Sequence, residues 1–221
     1  MVTSNMVAVI FDMDGVLIDN SEIHDKVWQM ICRKYGKDIS TKEIKIIFGG
    51  TNKIFVSRLL GINNEDEINA IAIEKEALYR KMFEETIQLP DGLLDFLNEL
   101  KMSNIPMAVA TSGPTENLNF VLDSLGIRHF FKVLIDESCV KKGKPDPEIY
   151  TISSEKLGLK PGNCVAIEDS VFGIQSALAA GMKVIGITTT FSAEIIKNAH
   201  LIINSFKEVN VERIKSLINN A

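Results

Sequence analysis

The sequence is poor in features that mark several classes of protein. It holds only three cysteines in 221 residues, at positions 32, 139 and 164, and no two of them form a Cys-x-x-Cys pair. No disulfide framework is therefore predicted, and we expect reduced, buried thiols in a cytoplasmic protein. No apolar run approaches the length of a membrane span, and residues 1–5 lack the positive charge that opens a secretion signal. A membrane partner is not expected.

Positive charge is also scarce. The formal net charge is −5, from 24 Lys and Arg against 29 Asp and Glu, and there is no basic tract. Because nucleic-acid backbones are bound through clustered positive charge, no nucleic-acid partner is predicted. The hydrophobic fraction of 46% and the charged fraction of 24% are ordinary for a soluble globular chain. The length is sufficient for a core domain and a smaller second one.

The first apolar run, at residues 7–11, leads directly into acidic residues. Its five consecutive apolar side chains predict a strand that is buried on both faces. Asp12 and Asp14 follow, one residue apart, and Gly15 comes next. Two such carboxylates repel each other unless a cation or a shared proton relieves them, and oxygen ligands favour a hard ion such as Mg²⁺. The alternative is an acidic turn, since Asp and Gly are common turn residues.

The rest of the chain divides into a helical part and an alternating part. Apolar side chains recur at helical spacing between residues 20 and 89, and no strand is indicated there. From residue 91, helices alternate with apolar runs at 107–110, 133–135, 164–167, 184–187 and 201–203, with later helices near 193–198 and from 209. This alternation predicts an α/β fold with a doubly wound parallel sheet. We expect a core domain of residues 1–19 and 90–221, with residues 20–89 inserted as a helical domain.

Polar groups follow two of the later strands. Thr111, Ser112 and Gly113 come after the run at 107–110, where hydroxyl and backbone N–H groups could hold a phosphate oxygen. They could equally cap the next helix, as Thr and Ser often do. Lys144 precedes Pro145 in the loop after the third strand, where its ammonium could bind phosphate or belong to a solvated basic loop.

A second acidic pair, Glu168 and Asp169, ends the run at 164–167. An acidic helix start, favoured by the helix dipole, accounts for one of these carboxylates more readily than for both. If this strand lies beside the first one, a single cation can relieve both acidic pairs. The sequence therefore indicates a magnesium site at one edge of the sheet.

These motifs, in this order, resemble the haloacid dehalogenase superfamily over nearly the whole chain. The chain is similar in particular to its β-phosphoglucomutase-like and phosphoglycolate-phosphatase-like members. The resemblance implies a Rossmann-like core with a helical cap domain, which residues 20–89 would form. The matching residues are Asp12-x-Asp14-Gly15-Val16-Leu17 with Asp19, then Thr111-Ser112, then Lys144-Pro145-Asp146-Pro147, then Glu168-Asp169-Ser170 with Gly173 and Gly181.

The resemblance implies a role for each motif. Asp12 is expected to attack phosphorus and form an aspartyl phosphate, and Asp14 to act as general acid and base. Lys144 is expected to steady Asp12 and the transferred group. The resemblance also implies that Mg²⁺ is held by Asp12, by the backbone carbonyl of Asp14 and by Asp169, with Glu168 in or near its coordination shell. The expected substrate-binding residues are Thr111, Ser112, Gly113, His24, Gly50 and Lys53.

The resemblance favours a Mg²⁺-dependent phosphatase that acts on a small phosphorylated metabolite, such as a sugar or short-acid phosphate. We expect a monomer. A β-phosphoglucomutase-type mutase is the alternative. Against it, Gly49 and Gly50 stand where mutases carry a lysine before glycine, Lys53 replaces an arginine, and the Lys-Asn pair that follows Ser112 in mutases is missing. A receiver-like signalling module is an alternative of another class. His24 fits substrate contact and a half-buried structural histidine equally well.

Overall fold

The computed structural model describes residues 6–47 and 50–219. Within these ranges six strands form one parallel sheet in the order β3-β2-β1-β4-β5-β6. The strands are β1 (Ala8–Phe11), β2 (Met107–Ala110), β3 (Val133–Ile135), β4 (Cys164–Glu168), β5 (Lys183–Ile187) and β6 (Leu201–Ile203). The predicted α/β fold with a doubly wound parallel sheet is confirmed.

Helices fill the segment between β1 and β2 and then follow the later strands in alternation. Val56–Leu60 continues the third helix as a π-helical turn. In the described ranges the α-helices are α1 (Ser21–Lys34), α2 (Thr41–Lys45), α3 (Asn52–Phe55), α4 (Glu65–Phe83), α5 (Leu93–Met102), α6 (Thr115–Ser124), α7 (Glu148–Leu157), α8 (Val171–Ala179) and α9 (Val211–Asn219).

The central strand β1 is buried on both faces, which explains its uninterrupted apolar sequence. Val9 and Phe11 belong to an apolar cluster on one face of the sheet, and Ala8 and Ile10 belong to a second cluster on the other face. Since successive strand side chains point to opposite faces, a strand covered by helices on both sides must be apolar at every position. The first polar residue that follows it, Asp12, therefore marks the edge of the sheet.

The helices α1 to α4 share the cluster that covers one face of the sheet. Trp28 of α1, Phe55 of α3 and Tyr79 of α4 are buried in that same cluster with Phe11. The helical insertion therefore shares an apolar core with that face of the sheet. The division into a core of residues 1–19 and 90–221 and a helical domain of residues 20–89 stays a prediction. Among the described residues, every helix is too short or too polar to cross a lipid bilayer.

Two predicted helices differ in the structure. The helix predicted near residues 193–198 is wrong, because this segment forms successive turns in which Ile195 and Ile196 both donate backbone N–H groups to the carbonyl of Ser192. The terminal helix begins at Val211 rather than Val209, because a 3₁₀ turn at Phe206–Glu208 comes first.

The prediction of buried thiols holds for two of the three cysteines. Cys32 and Cys164 are buried, whereas Cys139 is exposed in the 3₁₀ turn that follows β3. All three are free. Gly49, which entered the comparison with mutases, lies outside the described residues.

Candidate active site

Two neighbouring strands bring the acidic pairs together at the carboxyl edge of the sheet. β1 and β4 are adjacent, with Phe11 in register with Ile167, and the backbone N–H of Asp12 donates to the carbonyl of Ile167 over 3.0 Å. The chain order reverses across these two strands, which is where open α/β sheets commonly place their ligands. Carboxylate oxygens of Asp12, Glu168 and Asp169 all lie within 4.8 Å of one another, and all three side chains are buried.

Lys144 is the cation that is anchored within this acidic group. Its Nζ donates to Asp12 Oδ1 over 2.7 Å, to Glu168 Oε1 over 2.6 Å and to the carbonyl of Ala110 over 3.1 Å. Burial opposes the charge of Lys144, but the carboxylates of Asp12 and Glu168 raise its pKa above the ordinary value. The Tyr150 hydroxyl donates to the same Oε1 of Glu168. Glu168 therefore fixes the lysine as well as contributing to the acidic group.

Two glycines allow the carboxylates to approach so closely. A Cβ built at Gly173 would lie 2.0 Å from the Glu168 carboxylate, and one at Gly15 would lie 1.9 Å from Asp169 Oδ2. Gly15 also has φ +75°, in the left-handed region that favours glycine. The backbone turns that carry these glycines therefore form part of the wall around the acidic group.

The residues of the acidic group fit a hard divalent cation. Asp12, Glu168 and Asp169 are buried with the single ammonium of Lys144, so the group carries excess negative charge when all are ionised. Burial, and then the charge of Asp12, raise the pKa of Asp169 well above its ordinary value, and burial raises the pKa of Asp12 to about 8. A bound cation favours the ionised form of such groups. Oxygen donors of this kind suit Mg²⁺.

The side chain of Asp14 stands apart from the acidic group and faces the helical insertion. Asn20 Nδ2 donates to Asp14 Oδ1 over 2.6 Å and also lies 2.7 Å from the hydroxyl of Tyr79, while His24 Nε2 lies 3.6 Å from the same Asp14 oxygen. Partial burial favours the protonated acid, but the contacts with His24 and Asn20 hold the pKa of Asp14 below its ordinary value. These contacts favour the carboxylate form of Asp14.

A narrow cleft of about 70 Å³ lies between the sheet edge and the helical insertion. Most of the sequence-predicted site residues line it, together with residues of α1, α3, α4 and α6. The Ser112 hydroxyl oxygen is buried at this cleft and has no hydrogen-bond partner among the described residues. The lining residues are Asp12, Asp14, His24, Trp28, Gly50, Asn52, Phe55, Lys75, Glu76, Ser112, Gly113, Asn117, Lys144, Asp169 and Ser170.

Three predicted residues are not in that lining. Glu168 is fully buried behind Lys144. Thr111 is also fully buried, and its Oγ1 accepts a hydrogen bond from the backbone N–H of Gly113 over 3.0 Å. Lys53 is exposed and pairs with Glu65 over 2.7 Å, so its side chain is directed away from the cleft. Helix α6 begins after Pro114 without a side-chain cap, so neither Thr111 nor Ser112 caps it.

Sequence reasoning missed most of the cleft wall opposite the sheet edge. Asn20, Asn52, Lys75, Glu76 and Asn117 either line the cleft or hold a side chain that does. Lys75 and Glu76 are adjacent opposite charges on the long helix α4, and in a sequence such a pair is typical of a solvent-exposed helix face. The available signal was the position of Lys75, which continues the buried face of α4 marked by Ile68, Ile71 and Tyr79.

Comparison with known proteins places the chain in a family. The sequence model of the family described as haloacid dehalogenase-like hydrolase matches residues 9–187. A fructose-1-phosphate phosphatase from Escherichia coli is 31% identical over 180 residues, covering 81% of this chain and 95% of that protein. Several curated relatives are named as phosphatases.

Solved structures agree with that match. A family IA hydrolase of the same superfamily from Entamoeba histolytica has a TM-score of 0.89 and 34% identity, covering 97% of this chain and 100% of that one. A β-phosphoglucomutase from Clostridium difficile has a TM-score of 0.88 and 30% identity, covering 97% and 98%. The predicted family and the prediction of a hydrolase are confirmed. A hydrolase belongs to a different class from the receiver-like signalling module that was the alternative. The chain belongs to the haloacid dehalogenase-like hydrolases.

Proposed function

We propose that this protein is a Mg²⁺-dependent phosphatase that cleaves a small phosphorylated metabolite through a phosphoryl-Asp12 intermediate. The observation that carries the proposal is that Asp12 and Asp14, which follow β1, face one cleft together with Lys144 from a distant segment of the chain. The ammonium of Lys144 contacts Asp12 Oδ1 directly. A nucleophile, a proton carrier and a fixed cation are the groups that phosphoryl transfer requires.

In the first step, a carboxylate oxygen of Asp12 forms a bond to phosphorus as the bond from phosphorus to the leaving oxygen breaks. The leaving oxygen takes its proton from the carboxylic acid form of Asp14, which the second step regenerates. The hydroxyl of Ser112, which has no partner among the described residues, would donate to a phosphoryl oxygen, and Lys144 would stabilise the negative charge that the transition state spreads over the phosphoryl oxygens.

In the second step, the carboxylate of Asp14 takes a proton from water, and the water oxygen bonds to phosphorus as the bond to Asp12 breaks. Inorganic phosphate leaves and Asp12 is restored. Asn20 and His24 support this role because both contact Asp14 Oδ1 and hold the group in its basic form. The surrounding helices limit access of bulk water to the intermediate.

A magnesium ion would be held by Asp12 and Asp169, with Glu168 close by and the carbonyl of Asp14 as the further ligand implied by the family resemblance. When bound, the ion would offset the negative charge on the phosphoryl group. In this arrangement Glu168 has the additional task of holding Lys144, since its Oε1 accepts from both Lys144 and Tyr150.

The relatives support a phosphorylated carbohydrate as substrate, since one is named for fructose 1-phosphate and another for phosphorylated carbohydrates. A mutase has to hold a second phosphate while the sugar reorients. The exposed Lys53, paired with Glu65, contributes no such clamp. Hydrolysis is therefore the function that the geometry supports best.

The test is Mg²⁺-dependent phosphate release from a panel of sugar, polyol and short-acid phosphates and an aryl phosphate. Asp12→Asn should lower kcat by about 1,000-fold or more, because a carboxamide does not replace the nucleophile. Asp95→Asn, which changes an exposed carboxylate on α5, is the matched control and should retain wild-type turnover. Comparable activity in the Asp12 variant would exclude Asp12 as the nucleophile.

A further inference from the structure

The cleft wall opposite the sheet edge carries a buried charge pair that the proposed phosphoryl transfer does not use. Lys75 and Glu76 of α4 are only 3% and 7% exposed, and both line the cleft. Asn52 of α3 and Asn117 of α6 line it beside them. These four side chains, called the roof here, line the same cleft as Asp12, so the leaving group of a phosphate ester held at Asp12 would share the cleft with them.

The ammonium of Lys75 is already occupied. Its Nζ donates to Glu76 Oε1 over 2.8 Å and lies 3.0 Å from His24 Nδ1. It also lies 5.3 Å from the ring centroid of Trp28 and 5.6 Å from that of Tyr79, within cation–π range. A second anionic group on the substrate would have to displace Glu76 before it could use this ammonium. Lys75 is therefore poorly placed to hold a second phosphate.

Glu76 is fixed as a charged acceptor. Its Oε1 accepts from Lys75 and from Asn52 over 2.9 Å, and its Oε2 accepts from Asn117 over 2.7 Å. Arg80 donates to Asn117 Oδ1 over 2.8 Å, which turns the amide NH₂ of Asn117 toward Glu76. Burial opposes the charge of Glu76, but Lys75 holds its pKa below the ordinary value.

Glu76 also has capacity for a further donor. A carboxylate oxygen offers about two acceptor sites, and within the described residues Oε2 accepts one hydrogen bond. A hydroxyl group can fill that site, whereas a phosphate or carboxylate would meet like charge.

We propose that Glu76 is a specificity-determining residue, which accepts a hydrogen bond from a hydroxyl of the leaving group and disfavours a second anionic group there. The preferred substrate class is then a monophosphate of an uncharged, hydroxyl-bearing compound, and bisphosphates and phosphorylated acids are poor substrates. The inference rests on the proposed function, because only an ester held at Asp12 presents its leaving group to the roof.

The test compares two substrates that differ by one phosphate, fructose 1-phosphate and fructose 1,6-bisphosphate. We expect wild-type kcat/KM to favour the monophosphate by at least about 10-fold, since a desolvated like-charge contact is strongly unfavourable. In Glu76→Gln this preference should fall at least about 10-fold, with an absolute gain on the bisphosphate. Glu74→Gln changes an exposed carboxylate two residues away on α4 and should leave the preference unaltered.

A second variant guards against loss of folding in Glu76→Gln, where Lys75 would lose its partner in a buried site. The double variant Lys75→Gln with Glu76→Gln leaves no unpaired buried charge. Its preference for the monophosphate over the bisphosphate should also fall, as in Glu76→Gln. Turnover with a preference unchanged within about twofold in both variants would overturn the role of Glu76 and leave the phosphatase standing. If the wild type released phosphate from none of the esters tested, including an aryl phosphate, both the phosphatase function and the role of Glu76 would be overturned.

Discussion

At the scale of single residues, the environment of each carboxylate separates its role from that of its neighbours. Asp12 and Asp14 are two positions apart in sequence, yet Asp12 contacts the ammonium of Lys144, whereas Asp14 contacts Asn20 and His24. The pKa of Asp12 is raised by burial, and that of Asp14 is lowered. Two carboxylates with different surroundings can therefore take the two different parts in phosphoryl transfer.

A third carboxylate, Glu137, gives a pH-dependent prediction that does not involve the metal site. Its pKa rises from the ordinary 4.5 to about 7, mainly through burial and then through the negative charges of Glu76, Asp136 and Glu116, which the charge of Lys75 partly offsets. The folded state therefore binds more protons than the unfolded state between these two pH values. The Glu137 contribution to the free energy of unfolding is fully present below pH 4.5 and is lost as pH rises through 7.

The variant Glu137→Gln carries an uncharged group at every pH. Its free energy of unfolding, relative to that of the wild type, should increase from pH 5 to pH 8 by about 1 kcal/mol. This figure already allows for solvent screening at the half-buried position. Urea unfolding at both pH values measures the difference. Glu155→Gln, at an exposed position on α7, is the control. A gain that is equal at pH 5 and pH 8 would contradict the assignment.

At the scale of secondary structure elements, the junction between β4 and α8 is the most constrained part of the site. Glu168 ends β4, Ser170 caps α8 by accepting from the backbone N–H of Gly173 over 3.0 Å, and Gly173 packs directly against the Glu168 carboxylate. A single short turn thereby sets the position of Glu168 and, through it, of Lys144.

The substitution Gly173→Ala tests this junction. In an unobstructed helix, alanine in place of glycine stabilises by about 0.5–1 kcal/mol. Here the added Cβ would meet the Glu168 carboxylate at 2.0 Å, so we expect a loss of about 2 kcal/mol and a lower kcat as Glu168 and Lys144 shift. Thermal unfolding and phosphate release measure the two effects.

Gly162→Ala provides the matched control for that experiment. A Cβ at Gly162 would have no neighbour within 4 Å, and this glycine lies in the 3₁₀ turn that precedes β4. The control should be close to neutral in both measurements. If Gly173→Ala were equally neutral, the close packing of Glu168 on α8 would not matter for the site.

At the scale of the whole molecule, the sequence was sufficient to predict the parallel sheet and the edge of the sheet where the polar residues lie. The strands are apolar runs because both faces are covered, and parallel strands place Asp12 and Asp169 at a shared edge. Local patterns therefore coincide with the tertiary arrangement in this part of the chain.

The roof of the cleft could not be found in the same way. Lys75 and Glu76 are buried because α4 packs against α1, α3 and α6, and Asn117 contacts Glu76 from a helix 41 positions away in sequence. The side chain of Lys53 is directed away from the cleft because it pairs with Glu65. Contacts between distant segments decide these positions, and helical periodicity marks only Lys75, which continues the buried face of α4.

The central claim is that Asp12 briefly carries the phosphoryl group, and covalent trapping measures it most directly. Asp14→Asn, which lacks the general base, would be mixed with Mg²⁺ and an aryl phosphate whose leaving group departs without a proton, then quenched in acid and examined by peptide mass spectrometry. We predict a phosphorylated peptide with the modification on Asp12. Phosphate release by a protein whose Asp12 never becomes modified, or modification of a different residue, would contradict the account.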